Sequence, residues 1–458
     1  MNAIIFSAVW GVVMMYSGVL SKSNPVIRMT AIVGLTLLLI ANTAELFGYR
    51  FFNIDSRNML AFTSFGLLFN SIAFGSTLIY FLLSSRDMFN VGRNVAEYFA
   101  LIFFVLTGVA LVSSYNSLLM LFLGIEIISI PLYILTGSDK KDLRSNEASL
   151  KYFLMGSFST GIMLMGIALI YGSWGTFQLG GMSNIQDPEL NPLLIAGLLL
   201  LLIAMSFKIS AAPFHFWTPD VYDGSPSVFT SFMATIVKVA GFIALLRLFE
   251  TTFNVMPKKW SILVAIITAA TLFIGNITAV FQQSVKRMLA YSSIAQAGFM
   301  FFALFGANSW ASEGLLLYSA AYCLSTIGIF AILIKMKDYS YEGFNGMGKH
   351  HPLLAATNSI FLLSLAGIPL TAGFTAKFYM LASVIEHGSY MWLAIFAVLC
   401  AAISAFYYFR VIQSMYFKDG ESQAIVVNDS FKWGLILLCA AIIFLGVYPQ
   451  WLFLKLYF

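Results

Sequence analysis

Charge is what this sequence has least of. Of its 458 residues, 10% are Asp, Glu, Lys or Arg, against roughly 25% in a soluble domain. That excludes an ordinary water-soluble globule, and with it the soft expectation of about three soluble domains from length alone. Cysteine is scarce too. Cys323, Cys400 and Cys439 lie inside apolar runs without CxxC or metal-ligand spacing. They read as small buried apolar side chains, and no disulfide framework is expected. His350 and His351 have no Cys or acidic neighbour at ligand spacing, so no metal site is expected there. GMGKH at 346–350 lacks the glycine spacing and the Ser or Thr of a phosphate loop. No basic residue precedes the first apolar run, which predicts an uncleaved first span and not a removed signal peptide. The net charge of +5 is spread over many short loops. That is the pattern of topology signals, not of a nucleic-acid-binding face.

What is there is hydrocarbon: 60% of residues are hydrophobic, and Phe occurs 44 times. Apolar runs of membrane-spanning length fall near 3–20, 27–48, 58–84, 95–114, 116–136, 149–172, 191–222, 226–249, 260–281, 287–306, 311–335, 352–387, 390–416 and 432–453. The predicted fold is an all-α polytopic membrane protein of about fourteen transmembrane helices. An even number of spans puts both termini on one side. Sixteen of the 25 Lys and Arg residues fall in the odd-to-even loops, among them Lys22, Lys140, Lys286 and Lys335. Five fall in the even-to-odd loops and the tail: Arg50, Arg57, Lys258, Lys259 and Lys455. The richer side faces the cytoplasm, so both termini are predicted outside.

Two spans are abnormal. The seventh is interrupted by SAAPFHFWTP, with Pro213 and Pro219, and the twelfth by LAGIPLTAGF, with Gly367, Pro369 and Gly373. Proline removes a helix donor and clashes with the preceding turn. Broken backbone at membrane depth is tolerated only where protein or a water-filled cavity satisfies it. The broken spans are five apart in order. They predict three N-terminal helices (1–94), a five-helix unit (95–250), a second five-helix unit inserted upside down (260–416) and a C-terminal loop and helix (417–458). Paired broken helices in inverted units are the mark of a transport path.

Four charges lie inside apolar runs. Glu126 sits near the middle of LLMLFLGIEIISIPLYIL (118–135), whereas Glu45, Glu97, Glu250, Glu313 and Glu386 lie at span ends. A carboxylate at that depth costs roughly 2.5–3.5 kcal/mol on insertion scales, which marks it as functional by default. The bland reading is an ion pair that fixes helix packing. Lys208, Lys238 and Lys377 are its candidate partners. Lys208 precedes the break in span seven; snorkelling is its bland reading, but it lies far from either end. Opening and closing a Glu126–Lys208 pair is a proton switch, in which one partner releases a proton as the other takes one up. Lys238, midway along span eight, has no carboxylate one turn away. Lys377 follows the break in span twelve. Buried lysines of this kind suit a relay. His215 lies in the first broken stretch and could shuttle protons or be a satisfied histidine at the mouth. Arg247 and Glu250, three apart, read as an interfacial pair. Lys151, at the start of span six, reads by position as an interface anchor.

KISAAPFHFWTPDVYDGSPSVFTSFMATIVKVAGF (208–242), SLKYFLMGSFSTGIMLMGIALIYG (149–172), LGIEIISIPLYIL (123–135), QQSVKRMLAYSSIAQAGF (282–299) and GIPLTAGFTAKFYML (367–381) carry a resemblance. They resemble the antiporter-like membrane subunits of proton-pumping NADH–quinone oxidoreductase, respiratory complex I, and the subunit N family in particular. The resemblance covers most of spans four to twelve, and the first three spans and the last only by their count. It implies fourteen helices with inverted five-helix units. It implies proton-translocating roles for Glu126, Lys208, Lys238 and Lys377, and raises Lys151 to a candidate beside His215. It also implies that this chain carries no cofactor, and that FMN, iron–sulfur clusters and quinone belong to partner subunits. Those partners would be other membrane and peripheral subunits of the complex, sibling antiporter-like subunits among them, in a bacterial inner membrane. The competing expectation is a subunit of a multi-subunit sodium/proton antiporter complex. A structural spacer with a dead channel is a third, against which the buried charges speak.

Overall fold

The computed structural model describes the chain apart from residues 22, 180–190, 253–258, 306–307, 387–389, 421–422, 424, 455 and 457–458, and the side chains of 251, 252 and 259. Lys22, Lys258 and Lys455, counted above among the loop charges, therefore lie outside the described residues, as does the side chain of Lys259.

In chain order the helices are α1 (Asn2–Leu20), α2 (Asn24–Leu46), α3 (Ser64–Ser84), α4 (Val95–Ser114), α5 (Leu118–Thr136), α6 (Leu143–Trp174), α7 (Pro192–Lys208), α8 (Trp217–Gly224), α9 (Ser227–Phe232), α10 (Lys238–Thr252), α11 (Lys259–Val280), α12 (Val285–Met300), α13 (Ser309–Leu333), α14 (Met347–His350), α15 (Pro352–Ala366), α16 (Ala372–Ile385), α17 (Met391–Phe417), α18 (Asp429–Val447) and α19 (Gln450–Phe453). A π-helical turn, Met233–Val237, joins α9 to α10. Extended pairing among the described residues is limited to isolated bridges. Among the described residues, eleven helical stretches are long and apolar enough to cross a membrane, and α7, α15 and α16 are shorter apolar helices. The chain is an all-helical, multi-pass membrane protein.

Local chemistry sets the helix limits. Span three was expected from residue 58, but α3 starts at Ser64. Thr63 caps it by accepting the Gly66 N–H, while Arg57 and Asn58 turn the chain with positive φ. Conversely, α6 begins six residues before the expected 149, because Asp142 caps it by accepting the Arg144 N–H. The seventh span divides into α7 and the short α8, and the twelfth into α15 and α16. Gly367 ends α15 at φ 86°, a left-handed conformation that costs glycine nothing. The π turn in span eight carried no warning in its sequence.

Packing depends on close helix approach. A Cβ on Gly166 of α6 would meet the Gly197 oxygen of α7 at 2.8 Å, and a Cβ on Gly197 would meet the Gly166 oxygen at the same distance. Small residues that let backbones touch are the usual means of joining helices in lipid. At the centre stands α13, whose most apolar stretch is wholly buried. It packs against α3, α15, α16 and α18. On the outside, Leu150, Leu154, Phe158 and Met165 form an exposed apolar stripe along α6, a face made for hydrocarbon or another apolar helix.

Candidate functional site

Glu126 and Lys208 meet. The Lys208 ammonium, at the last residue of α7, lies 3.6 Å from a Glu126 carboxylate oxygen on α5. Both side chains are largely shielded, at 9% and 21% exposure. Lys208 also donates to Ser129 Oγ at 3.0 Å and Thr160 Oγ1 at 3.4 Å. Thr160 in turn donates to Glu126 at 2.7 Å. One hydroxyl thus touches both charges, accepting from the cation and donating to the anion. At 3.6 Å the direct contact is longer than a good charge-assisted hydrogen bond, so the pair is held but not locked. Pro131, within α5, lacks an N–H and leaves the Ile127 carbonyl of the same segment without its helical donor.

Lys238 and Lys377 do not join this pair, contrary to the expectation that all three lysines would serve Glu126. Lys238 is 2% exposed. It donates to the Ser293 carbonyl at 3.0 Å and the Ser293 hydroxyl at 2.8 Å on α12. Its ammonium lies 5.8 Å from the centre of the Tyr222 ring. The π turn lies immediately before it, and such turns recur at functional sites. Tyr322 of α13 donates to the Ala234 carbonyl of that turn at 2.7 Å.

Lys377 donates to the Leu365 and Ala366 carbonyls, at 2.8 and 3.0 Å, on the far side of the break in span twelve. Its ammonium lies 4.7 Å from the Phe299 ring centre. A void of about 10 Å³ adjoins it, lined also by Gln296, Tyr318, Tyr322 and Ser364. Helix α12 links the two buried lysines. Ser292 shares a hydrogen bond with Tyr408. Gln296 donates to Tyr408 at 3.0 Å and to the Leu365 oxygen at 3.0 Å, and accepts from Tyr318. A polar seam of Ser292, Tyr408 and Gln296 therefore reaches the Leu365 carbonyl beneath Lys377, and it starts one residue from Ser293, on which Lys238 rests. No group of His, Cys, Asp or Glu that could hold a metal ion occurs among the described residues.

The family model described as NADH:quinone oxidoreductase/Mrp antiporter, TM, matches residues 115–404. NADH-quinone oxidoreductase subunit N of Cytophaga hutchinsonii is 39% identical to this chain over 463 residues, covering 98% of each. The chain belongs to the NADH-quinone oxidoreductase subunit N family. Among solved structures, a chain of respiratory complex I from Thermus thermophilus with bound aureothin aligns at a TM-score of 0.84 and 30% identity, covering 98% of this chain and 97% of that one. A chain of the Mrp complex from a Dietzia species aligns at 0.85 with 17% identity, covering 99% and 95%. That likeness shows a shared fold alone and does not favour an antiporter-complex subunit. The part matched by the family model contains every candidate residue: Glu126, Lys151, Lys208, His215, Lys238 and Lys377.

The lesser candidates sit differently. Lys151 is not buried. It bonds Glu147 at 2.8 Å and Asp220 at 3.1 Å, and its side chain is 42% exposed. Asp220 also takes Arg287 at 3.0 Å. His215 lies in the non-helical link between α7 and α8, stacked on Phe216, and its buried Nδ1 has no hydrogen-bond partner among the described residues. Arg247, expected to pair with Glu250, donates to the Ser113 and Tyr115 carbonyls at 2.8 and 2.9 Å, where α4 ends. Lys286, read as a topology charge, is instead buried. It donates to the Asp223 and Ser225 oxygens at 2.8 and 2.7 Å and closes the C-terminal end of α8. The polar seam itself was missed. Its signal was Ser292, Ser293 and Gln296 inside an apolar run, where Ser292 and Gln296 stand one turn apart on a single helix face.

Proposed function

We propose that this chain is the antiporter-like membrane subunit of a proton-translocating NADH–quinone oxidoreductase. It carries no redox chemistry and moves protons through its own buried charges. The observation that carries the reading is the Glu126–Lys208 pair at 3.6 Å, bridged by Thr160 at the end of a broken apolar helix. Electron transfer elsewhere opens and closes that pair. Lys238 then passes charge along Ser293, Gln296 and Tyr408 towards Lys377, with water completing the path. FMN, iron–sulfur clusters and quinone belong to partner subunits. The partners are membrane and peripheral subunits of the complex, including sibling antiporter-like chains.

The architecture we assign is fourteen crossings. The α7–α8 pair, the α15–α16 pair, and α12 with its following turn each count as one, beside the eleven long spans. Residues 95–250 and 260–416 form two inverted five-helix units, preceded by three helices in 1–94 and followed by a loop and helix in 417–458. Both termini lie on the outer, periplasmic side of a bacterial inner membrane, a reading supported by the loop charges. His215 and Lys151 serve the mouth of the first unit.

The test is to tag the chain, extract it gently from its native membrane and identify what co-purifies. Flavin- and iron–sulfur-bearing subunits with NADH–quinone activity are expected. A set of membrane subunits with no redox cofactor would overturn the reading in favour of an ion-gradient antiporter.

A further inference from the structure

A cleft of about 710 Å³ opens where α2 begins, α3 ends and α18 begins. It lies away from the polar seam, since none of Glu126, Lys208, Lys238 or Lys377 lines it. Helix ends border it on three sides, as expected where spans reach the edge of the hydrocarbon. The cleft is cationic at that edge and apolar below it. Arg28, Arg86 and Lys335 line the edge, and no Asp or Glu lines any part.

The three cations are not equally free. Lys335 is held by both oxygens of Asp87, at 2.7 and 2.8 Å. Arg28 gives one N–H to Ser85 at 2.7 Å and one to the Leu82 oxygen at 3.4 Å. A guanidinium has five N–H donors, so most of its fork is unspent. The Arg86 side chain is exposed and makes no hydrogen bond or ion pair among the described residues. Asp87 beside Arg86 is already taken through both oxygens by Lys335, so the two guanidiniums leave the opening with an excess of positive charge. At the same edge α18 begins at Asp429, whose carboxylate is paired with Lys432 at 3.0 Å and does not line the cleft.

Below the cations the wall follows α18 through Trp433, Leu437 and Ala441. From Phe431 to Ala441 it descends about 15 Å, at roughly 1.5 Å per residue. That is about half of a hydrocarbon core some 30 Å thick. Trp433 and Leu437 are 64% and 67% exposed along it.

We propose that this cleft binds an anionic phospholipid, with its phosphate between Arg28 and Arg86 and one acyl chain along α18. Free phosphate satisfies the cations but leaves a leaflet-long apolar wall unused. A purely apolar helix covers the wall but leaves the excess positive charge of the opening unbalanced. Only a molecule with a phosphate at one end and a chain of leaflet length fits both parts. The site stands whether or not the proton route assigned above is correct.

The test uses the intact complex in phosphatidylcholine vesicles, doped with photoreactive phosphatidylglycerol or, separately, photoreactive phosphatidylcholine. After irradiation, labelled peptides are mapped by mass spectrometry. Phosphatidylglycerol should label residues 430–441 well above phosphatidylcholine. Arg86→Glu should cut that label by on the order of tenfold, since each surface cation contributes several-fold in lipid binding. Because Arg86 holds nothing in the fold, the label elsewhere in the chain should not change. Arg86→Lys should restore most of it. Equal labelling by both probes, or labelling indifferent to Arg86→Glu, would overturn the proposal. So would an unlabelled cleft, the result expected if a partner subunit fills it. Loss of label to inorganic phosphate, but not to chloride of equal ionic strength, would make it a free-phosphate site instead.

Discussion

Lys377 and Gln296 donate to one and the same oxygen, the carbonyl of Leu365, at 2.8 and 3.0 Å. In an unbroken helix that oxygen would take the N–H of residue 369. Residue 369 is proline and has none. The break in span twelve therefore manufactures an acceptor at depth, and a buried cation and an amide share it. Pro213 stands in the same relation to the Ile209 carbonyl in span seven. At Pro369 the freed carbonyl is one on which a lysine rests without a carboxylate.

Gln296→Leu separates the two roles of this junction. It leaves Tyr318 without its acceptor, while Tyr408 keeps Ser292, and Lys377 keeps Leu365 and Ala366. The expected loss of stability is roughly 1–2 kcal/mol, the range for a hydrogen bond in a membrane interior. Thermal unfolding of the purified complex measures it. Lys377→Met should reduce NADH-driven proton uptake more than Gln296→Leu does. Equal uptake in the two variants would remove Lys377 from the path.

Glu126→Gln keeps the volume and an acceptor for Thr160 but removes the charge facing Lys208. Lys238→Ala removes the central ammonium, while Ser293 retains its bond to the Ala290 carbonyl at 2.7 Å. Both variants should assemble. Both should lower coupled NADH–quinone activity by at least about fivefold, the factor that corresponds to losing one modest polar interaction in a rate-limiting step. Unchanged proton-to-electron stoichiometry and rate in both would exclude these residues from translocation.

Much of this was legible in the sequence, for physical reasons. A charge in hydrocarbon is costly enough that Glu126, Lys208, Lys238 and Lys377 stand out one by one. Pro213 and Pro369 announce the breaks. Helix caps were less visible, and the starts of α3 and α6 moved by six residues each because Thr63 and Asp142 decide them. Neutral polar side chains were hardest to read. A Ser, Thr or Gln in a membrane helix can spend its hydrogen bond on its own backbone, as Thr235 does on Ser231. Only the three-dimensional arrangement distinguishes Thr160 and Gln296, which bond across helices, from those that do not.

Lys335 and Asp87 offer a case where burial and pairing compete. The carboxyl sits between α3 and α4 and is bonded through both oxygens, yet burial pushes it above its ordinary range against the pull of Lys335. A carboxyl raised in the folded state contributes stability that is fully present below its unfolded pKa and is lost as pH rises through the folded value. Melting temperature should therefore rise somewhat with mild acidification, and Asp87→Asn should flatten that slope. Lys335→Met strands the carboxylate and should destabilise more than the Asp87→Asn/Lys335→Met double variant. A double variant no more stable than Lys335→Met would show that the stranded carboxylate is not the costly element.

Lys286 gives the clearest separation of a structural cation from a working one. Its ammonium sits on the Asp223 and Ser225 carbonyls, and its buried stem passes the Tyr339 ring, 5.4 Å from Nζ to the centre. Helix α8 is eight residues long, too short to hold itself, and it carries Trp217 and Asp220 below the broken link that holds His215. Lys286→Met keeps the stem but removes the donor, leaving two carbonyls at a helix C-terminus unpaired at roughly 1–3 kcal/mol. The loss should be local. Hydrogen exchange of 217–225 should speed up by one to two orders of magnitude, since roughly 1.4 kcal/mol is a factor of ten, while exchange in α13 stays as it was. Proton uptake should fall only as far as α8 loosens, and an Arg at 286, which restores a donor to the same carbonyls, should recover both. A variant that pumps poorly with α8 exchange unchanged would mean that Lys286 belongs to the relay itself.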